Sequence, residues 1–549
     1  MKKRNLILFI LMICLSGFHT ASPTATVSAQ DGDSGQLFWW NDRVFYQIFV
    51  RSFYDSDGDG IGDLQGVIQK LDYLNDGDPT TTTDLGVTGI WLMPIMPSPS
   101  YHGYDVTDYY DVNPDYGTKA DFSELMTEAH KRGIAVIIDL VLNHTSSQHP
   151  WFIASQNGDP KYQDYYVWSD TDPGYKGPDN QTVWYKKNDR YYYAVFWSEM
   201  PDLNYQNAAV TAQMYDVSHF WLQDMGVDGF RLDAVKYFVE DGRAGENTSL
   251  NHDWLQAYHA YVHSVKPDAL LVGEIWDSAN LVLPYTGNEM DIAFAFDLAH
   301  GMVQAASFGL PNTLAKALQP MIGQYPPGQY ATFLTNHDQD RFFSQLRSRI
   351  DYAKLGVYIY LTLPGVPFVY YGEEIGMEGK RTKSDTDAER RSPMQWDGSE
   401  NAGFTTGTPW FPVNGGFSVF NVETEAADPT SLFNAYRNLI QIRDATPALQ
   451  YGDFTPVESV SKKVFSFLRQ SDGQTVLVVI NMDDREVTDY GLSADTSALT
   501  DISVGQLLFT SGDAPADTLS APEVNDQGGF EGYLPLVQLE PFSITLIEW

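Results

Sequence analysis

The chain is almost without cysteine. Among 549 residues there is one, Cys14, so no intramolecular disulfide framework is possible. Positive charge is also scarce: Lys and Arg number 34 against 72 Asp and Glu, giving a formal net charge of −38. Such a chain repels phosphate backbones and anionic bilayers, so nucleic acid is not an expected partner. No Gly-rich phosphate fingerprint follows the first apolar strand, which disfavours an open dinucleotide-binding sheet. No His-x-His or His-Glu-x-x-His spacing occurs, which disfavours zinc hydrolysis. What remains is ordinary: 43% hydrophobic, 14% aromatic, 44 Gly and 29 Pro, which excludes wholesale disorder and fibrous repeats. The length points to more than one domain.

The one long apolar run lies at the start. Lys2, Lys3 and Arg4 precede a mostly apolar stretch from Asn5 to Phe18. At roughly 14 residues it is short for a bilayer span. Val27-Ser28-Ala29 sets small side chains before a cut ahead of Gln30. Residues 1–29 are therefore expected to be a cleaved signal peptide. The mature protein is expected to be secreted to the extracellular space, free of the membrane and monomeric.

Past that leader, short apolar runs alternate with helix-period stretches. Val44–Val50, Val87–Met93, Ile134–Leu140, Gly229–Asp233, Leu270–Glu274, Ala293–Asp297, Ala331–Thr335 and Pro367–Tyr371 read as buried strands. Lys119–Arg132, Thr211–Met225 and Asp351–Leu361 read as helices between them. Buried strands alternating with helices imply a parallel sheet, and about eight such units imply a closed (β/α)8 TIM barrel. The connection from His144 to Asp228 is much longer than the others and rich in Trp and Tyr. A long loop of this kind is usually functional, and it reads as a subdomain inserted after strand 3. After Leu432–Asp444 the pattern changes to short strands such as Val464–Leu468 and Thr475–Ile480, a C-terminal β-sandwich. The expected division is 1–29 signal, 30–144 first part of the barrel, 145–205 inserted domain, 206–450 second part of the barrel and 451–549 sandwich.

Chemistry in such a barrel collects where strands end. Asp139, Asp233, Glu274 and Asp338 fall at or just past four different strands. Any one of them alone would read as a helix cap or a solvated loop residue. Arg231 and Asp233 are two apart on one strand, so their side chains share a side. His144, His337 and Tyr104 sit at the same rim. Carboxylates with aromatics, and no nucleophilic Ser or Cys setting, favour glycoside chemistry: one carboxylate attacks, another protonates the leaving oxygen. Asp55-Ser-Asp-Gly-Asp-Gly-Ile-Gly-Asp63 spaces acids at alternate positions, with Gly allowing a tight wrap. Hard oxygen donors at that density suit Ca²⁺. Asp55, Asp57, Asp59 and Asp63 are the expected side-chain ligands and Ile61 a backbone one.

Several motifs in order resemble the α-amylase family, family thirteen of glycoside hydrolases. They are Asp139-Leu-Val-Leu-Asn-His144, Gly229-Phe-Arg-Leu-Asp-Ala-Val-Lys236, Gly273-Glu-Ile-Trp276 and Phe333-Leu-Thr-Asn-His-Asp338, with Met200-Pro-Asp-Leu-Asn204 and Gly365–Glu373 besides. The resemblance implies Asp233 as nucleophile, Glu274 as general acid/base and Asp338 as transition-state stabiliser. It implies that His102, Tyr104, His144, Arg231 and His337 line the sugar site, and that Lys236 meets the leaving-side sugars. Met200–Asn204 and the acidic loop look like a group between oligo-1,6-glucosidases and neopullulanases that includes secreted bacterial α-amylases. Arg391-Ser-Pro-Met-Gln-Trp-Asp397 looks more like α-glucosidases and sugar-isomerising relatives. Ala234 resembles α-1,4-acting members. Tyr237 departs from the His whose carbonyl, with residues matching Asn143 and Asp202, holds a calcium ion in many amylases. The implied activity is retaining endo-hydrolysis of α-1,4 links in starch and maltooligosaccharides. The alternative is an exo-acting α-glucosidase or transglycosylase on short α-glucosides.

Overall fold

Two-residue alternation decides which side chains fill the centre of this molecule. The computed structural model describes residues 37–549, apart from 326–327, 383–386, 472, 498, 500–503 and 514–517. The expected signal peptide lies outside the described residues.

Eight parallel strands close into a barrel: β1 (Phe45–Ile48), β2 (Gly89–Leu92), β3 (Ala135–Leu140), β4 (Gly229–Leu232), β5 (Leu270–Gly273), β6 (Ile292–Phe294), β7 (Tyr330–Thr332) and β8 (Val366–Tyr370). Each pairs with its sequence neighbours, and β8 closes on β1 with Phe45 opposite Phe368. One face of the strands packs inward: Phe45, Trp91, Ile137, Val272, Phe294 and Phe368 form a single buried cluster. The alternate residues, such as Tyr46, Ile90, Val136, Phe230 and Leu271, belong to the larger core shared with the surrounding helices. The filling is tight. A Cβ on Gly89 would lie 2.5 Å from the Phe45 ring, so only glycine fits there.

Helices Lys119–Lys131, Ala208–His219, Ser249–Val265, Phe296–Phe308, Pro311–Gln324 and Ile350–Thr362 occupy the connections. Thr118 and Asp121 close a reciprocal capping box at the start of the first of these. The long connection after β3 carries a helix, Pro150–Gln156, and a three-stranded sheet of Trp168–Ser169, Arg190–Tyr193 and Trp184–Lys187. It returns to the barrel through an antiparallel bridge between His144 and Asp202.

The C-terminal region is one eight-stranded antiparallel sheet. Its two edge strands, Thr518–Ser520 and Phe530–Tyr533, come together, with the Tyr533 hydroxyl donating to the Ser520 carbonyl at 2.6 Å. Leu519 and Phe530 share one core with Leu477 and Ile547. The sheet therefore folds over on itself, and its halves enclose that core. Among the described residues, no helix is long and apolar enough to cross a membrane.

Candidate active site

Strand register assembles the acids. Ile137 and Asp139 point the same way along β3, and Asp139 lies opposite Arg231 of β4. Both side chains therefore enter the barrel above the aromatic filling, with the guanidinium 5.1 Å over the Trp91 ring. Asp233 and Glu274 each lie one residue past the end of their strands, and Asp338 lies in the loop after β7. All these strand ends open at one face.

Arg231 is fully buried and serves three acids. Its Nη1 donates to both oxygens of Asp139 at 2.9 and 3.0 Å and to Asp233 Oδ1 at 2.7 Å. Its Nη2 lies 3.0 Å from Glu274 Oε2 but is not aligned to hydrogen-bond it. That oxygen instead accepts the Ala234 backbone N–H at 3.0 Å. Ala234 takes a left-handed conformation, φ +53°, directly after Asp233. Such a turn costs a residue with a side chain roughly 1–2 kcal/mol, and here it aims an N–H at Glu274. Asp233 Oδ2 and Glu274 Oε1 accept no hydrogen bond among the described residues, so each acid keeps one oxygen free.

Asp338 has its own partners. Arg391 Nη2 donates to Oδ1 at 2.8 Å, and His337 Nε2 lies 3.1 Å from Oδ2. The Gln47 side-chain amide donates to His337 Nδ1 at 2.8 Å, which places the imidazole proton on Nε2. That N–H faces the Tyr104 hydroxyl at 2.7 Å, and Tyr104 in turn donates to Asp139 Oδ2 at 3.0 Å. The imidazole and phenol rings stack, 5.5 Å apart and 10° from parallel.

Electrostatics separates the acids. Burial pushes Glu274 up to about 7, reinforced by Asp233 and Asp338 and only partly opposed by Arg231. Burial also raises Asp233 and Asp139, each to about 6, against the pull of Arg231. Burial alone would raise Asp338 too, but His337, Arg391 and Arg231 overcome it and hold that carboxyl well below its usual range. Burial thus favours a proton on Glu274 most strongly, while its ion pairs keep Asp338 ionised.

The other expected residues lie around this centre. His144 is buried and kept neutral, its Nε2 on the Tyr104 carbonyl at 3.2 Å. His102 accepts the Tyr104 N–H at 3.1 Å, and its side chain is partly exposed. Lys236 pairs with Glu246 at 2.8 Å and Asp277 at 3.3 Å and donates to the Trp276 carbonyl at 3.1 Å.

In the sequence Arg391 is only part of a motif, yet its guanidinium anchors Asp338. Trp276, the last residue of the Gly273–Trp276 motif, is 49% exposed and stacks on Phe296, with centroids 4.7 Å apart. Phe196 and Trp197 of the inserted segment are similarly open, and Phe196 packs edge-on against both His144 and Tyr237. An exposed aromatic beside a buried acid was the available signal.

The acidic loop after β1 also closes up. Oxygens of Asp55, Asp57 and Asp63 lie within 4.8 Å of one another. Asp59 stands outside that group, and its Oδ1 accepts the Ile61 N–H at 2.8 Å. Gly58 and Gly60 adopt φ +87° and +94°, and a Cβ on Gly60 would lie 1.9 Å from the Thr408 carbonyl oxygen. Burial opposes ionisation of Asp55. The Thr405 hydroxyl and the N–H groups of Gly58, Gly60 and Asp57 outweigh it and hold this carboxyl below its usual range. Among the described residues no Lys or Arg pairs with these four acids, and the Ile61 carbonyl accepts no hydrogen bond. That donor set fits a hard divalent cation.

A second acidic pair sits where the inserted segment meets the barrel. Asp202 accepts the Val195 N–H at 3.1 Å, but its Oδ2 is buried without a partner, as is Oε1 of Glu240. Burial pushes Asp202 up to about 8 and Glu240 well above its usual range. With Asn143 alongside, these orphaned oxygens also fit a cation, although the His expected nearby is Tyr237.

Comparison with known proteins agrees with this geometry. The family model for the α-amylase catalytic domain matches residues 47–452. Alpha-amylase 3 of Dictyoglomus thermophilum is 40% identical over 460 residues, covering 82% of this chain and 86% of that protein. The oligo-1,6-glucosidase of Parageobacillus thermoglucosidasius is 34% identical over 530 residues, covering 81% of this chain and 91% of that protein. The crystal structure of the α-amylase from H. orenii superposes with a TM-score of 0.79 at 41% identity, covering 92% of this chain and 99% of the other.

Proposed function

The chain belongs to the α-amylase family of glycoside hydrolases, and from that premise we propose that it is a secreted, retaining α-amylase cutting internal α-1,4 links of starch-like glucans and maltooligosaccharides. The observation that carries the chemistry is the meeting of Asp233 and Glu274 at Arg231, each with one oxygen free, beside Asp338. Asp233, with Oδ1 held by the guanidinium, attacks the anomeric carbon through Oδ2. The glycosidic C–O bond breaks, and Glu274 gives its proton to the leaving oxygen. Glu274, now a carboxylate, takes a proton from water, and the hydroxide attacks the same carbon and frees Asp233. Asp338, kept ionised by Arg391 and His337, supports the positive charge that builds on the ring and orients its hydroxyls. His102, partly exposed at the rim, offers a hydrogen bond to the sugar, and Tyr104, His144 and His337 form the wall of the site behind it.

Endo action is supported by the open aromatics. Phe196, Trp197 and Trp276 are 42%, 47% and 49% exposed. Trp276 lies beside Lys236, two residues past the proton donor. Such faces serve a chain that continues past the point of cleavage. The exo reading keeps one observation in its favour, the Arg391 motif in contact with Asp338, together with the likeness to an oligo-1,6-glucosidase. Chromatography of products from soluble starch separates the two. Mixed maltooligosaccharides are expected from the earliest time point, and glucose alone would defeat the endo assignment. We propose calcium at this loop, held by Asp55, Asp57, Asp59 and Asp63 with the Ile61 carbonyl; Asp55, Asp57 and Asp63 already stand together.

A further inference from the structure

We propose that His259, His263 and Asp291 form a transition-metal site, suited to Zn²⁺, at the N-terminal face of the barrel. The two histidines are one turn apart on the helix Ser249–Val265, so their imidazoles share a face. Asp291 immediately precedes β6, at the end of the barrel opposite the acids of the mouth.

The geometry is that of a metal's donor set. Nε2 of His259 and Nε2 of His263 each lie 3.2 Å from Asp291 Oδ1. Bonds of about 2.0–2.1 Å to a tetrahedral Zn²⁺ put neighbouring donors roughly 3.3 Å apart. One donor atom from each of the three residues can be taken so that all lie within 4.8 Å of one another. The supporting contacts aim these atoms. His263 Nδ1–H donates to the Pro267 carbonyl at 3.0 Å, which turns Nε2 toward Asp291 Oδ1. Asp291 Oδ2 accepts the Leu271 N–H at 2.7 Å, which leaves Oδ1 for the imidazoles. Outer hydrogen bonds of this kind, here on His263 and Asp291, are the usual construction around a metal. The two imidazole side chains are 17% and 21% exposed, so water can complete the coordination. The neighbouring His252 does not compete, because it is paired with Glu289 at 2.9 Å. The spacing His-x-x-x-His without the Glu of a hydrolytic zinc motif, and the distance from the mouth, make this a staple between helix and sheet rather than a reaction centre.

Isothermal titration of Zn²⁺ into the full chain, saturated with calcium to occupy hard-oxygen sites, tests the proposal. About one equivalent is expected to bind to the wild type, with at least roughly tenfold weaker binding in His259→Ala and in His263→Ala. Zn²⁺ should raise the thermal midpoint of the wild type and of neither variant. Co²⁺ added to the wild type should give intense tetrahedral absorption bands, a readout that does not depend on any variant folding. No Zn²⁺ bound at millimolar concentration, equal affinity in all three proteins, or only weak octahedral Co²⁺ bands would each overturn the assignment.

Discussion

The barrel mouth and the loop after β1 solve one problem, crowded carboxylates, in opposite ways. At the mouth, Asp139, Asp233 and Glu274 share Arg231, and Asp338 has Arg391. In the loop, Asp55, Asp57, Asp59 and Asp63 have backbone and hydroxyl donors but, among the described residues, no Lys or Arg. Counter-charge at the mouth is covalently part of the chain, so it cannot leave while a bond is made and broken. Counter-charge in the loop is, in our proposal, an imported ion. The mouth should therefore answer to pH and to single-atom changes in its acids, and the loop to chelators.

The largest effect expected is at the mouth. Glu274→Gln should lower kcat on maltooligosaccharides by roughly 10²–10⁴-fold, the scale for losing a general acid, while the thermal midpoint barely moves. Wild-type turnover in that variant would remove Glu274 from its role. Next is the pH profile of kcat/KM. The proton donor works only protonated, so activity should fall as pH rises through about 7, where burial holds Glu274. The nucleophile works only ionised, so activity should fall as pH drops through about 6, where burial holds Asp233. A plateau extending well above pH 8 would contradict this ordering. Asp55 of the loop should show no matching transition, because it is held below its usual range and stays ionised across both limbs.

Chelation should invert the pattern. Removing calcium with EDTA is expected to lower the thermal midpoint by roughly a few degrees, with recovery on adding Ca²⁺ and a blunted response in Asp57→Asn. An unchanged midpoint would mean that the loop carries no ion. The smallest effect is expected for Trp276→Ala. Loss of one stacking face should raise KM for long maltooligosaccharides several-fold, by roughly 0.5–1.5 kcal/mol, and leave kcat nearly intact. A fall in kcat alone would mean that Trp276 positions the acid rather than the sugar.

Much of this was legible because strands announce themselves as apolar runs and the acids stand at their ends. Ile134–Leu140 and Leu270–Glu274 came within a residue or so of the observed β3 and β5. The run Ala293–Asp297 was less faithful: β6 ends at Phe294, and Asp297 lies in the first turn of the helix Phe296–Phe308, which is apolar nearly throughout. Periodicity cannot separate a buried strand from the start of a buried helix. At the site, Arg391 lies 53 residues from Asp338 in sequence, and only the closed barrel makes them neighbours. Asp59 fits the alternation of the loop but stands outside the cluster of Asp55, Asp57 and Asp63, a difference that spacing does not show. His259, His263 and Asp291 come from a helix and a strand start, so no motif joins them.

Everything proposed for the mouth depends on Asp233 carrying the sugar between two displacements. Proton NMR of the first products of maltooligosaccharide hydrolysis, recorded before mutarotation, tests this most directly. Two inversions at C1 should release the new reducing end as the α anomer; a β anomer at the earliest time would show single displacement by water and contradict the account.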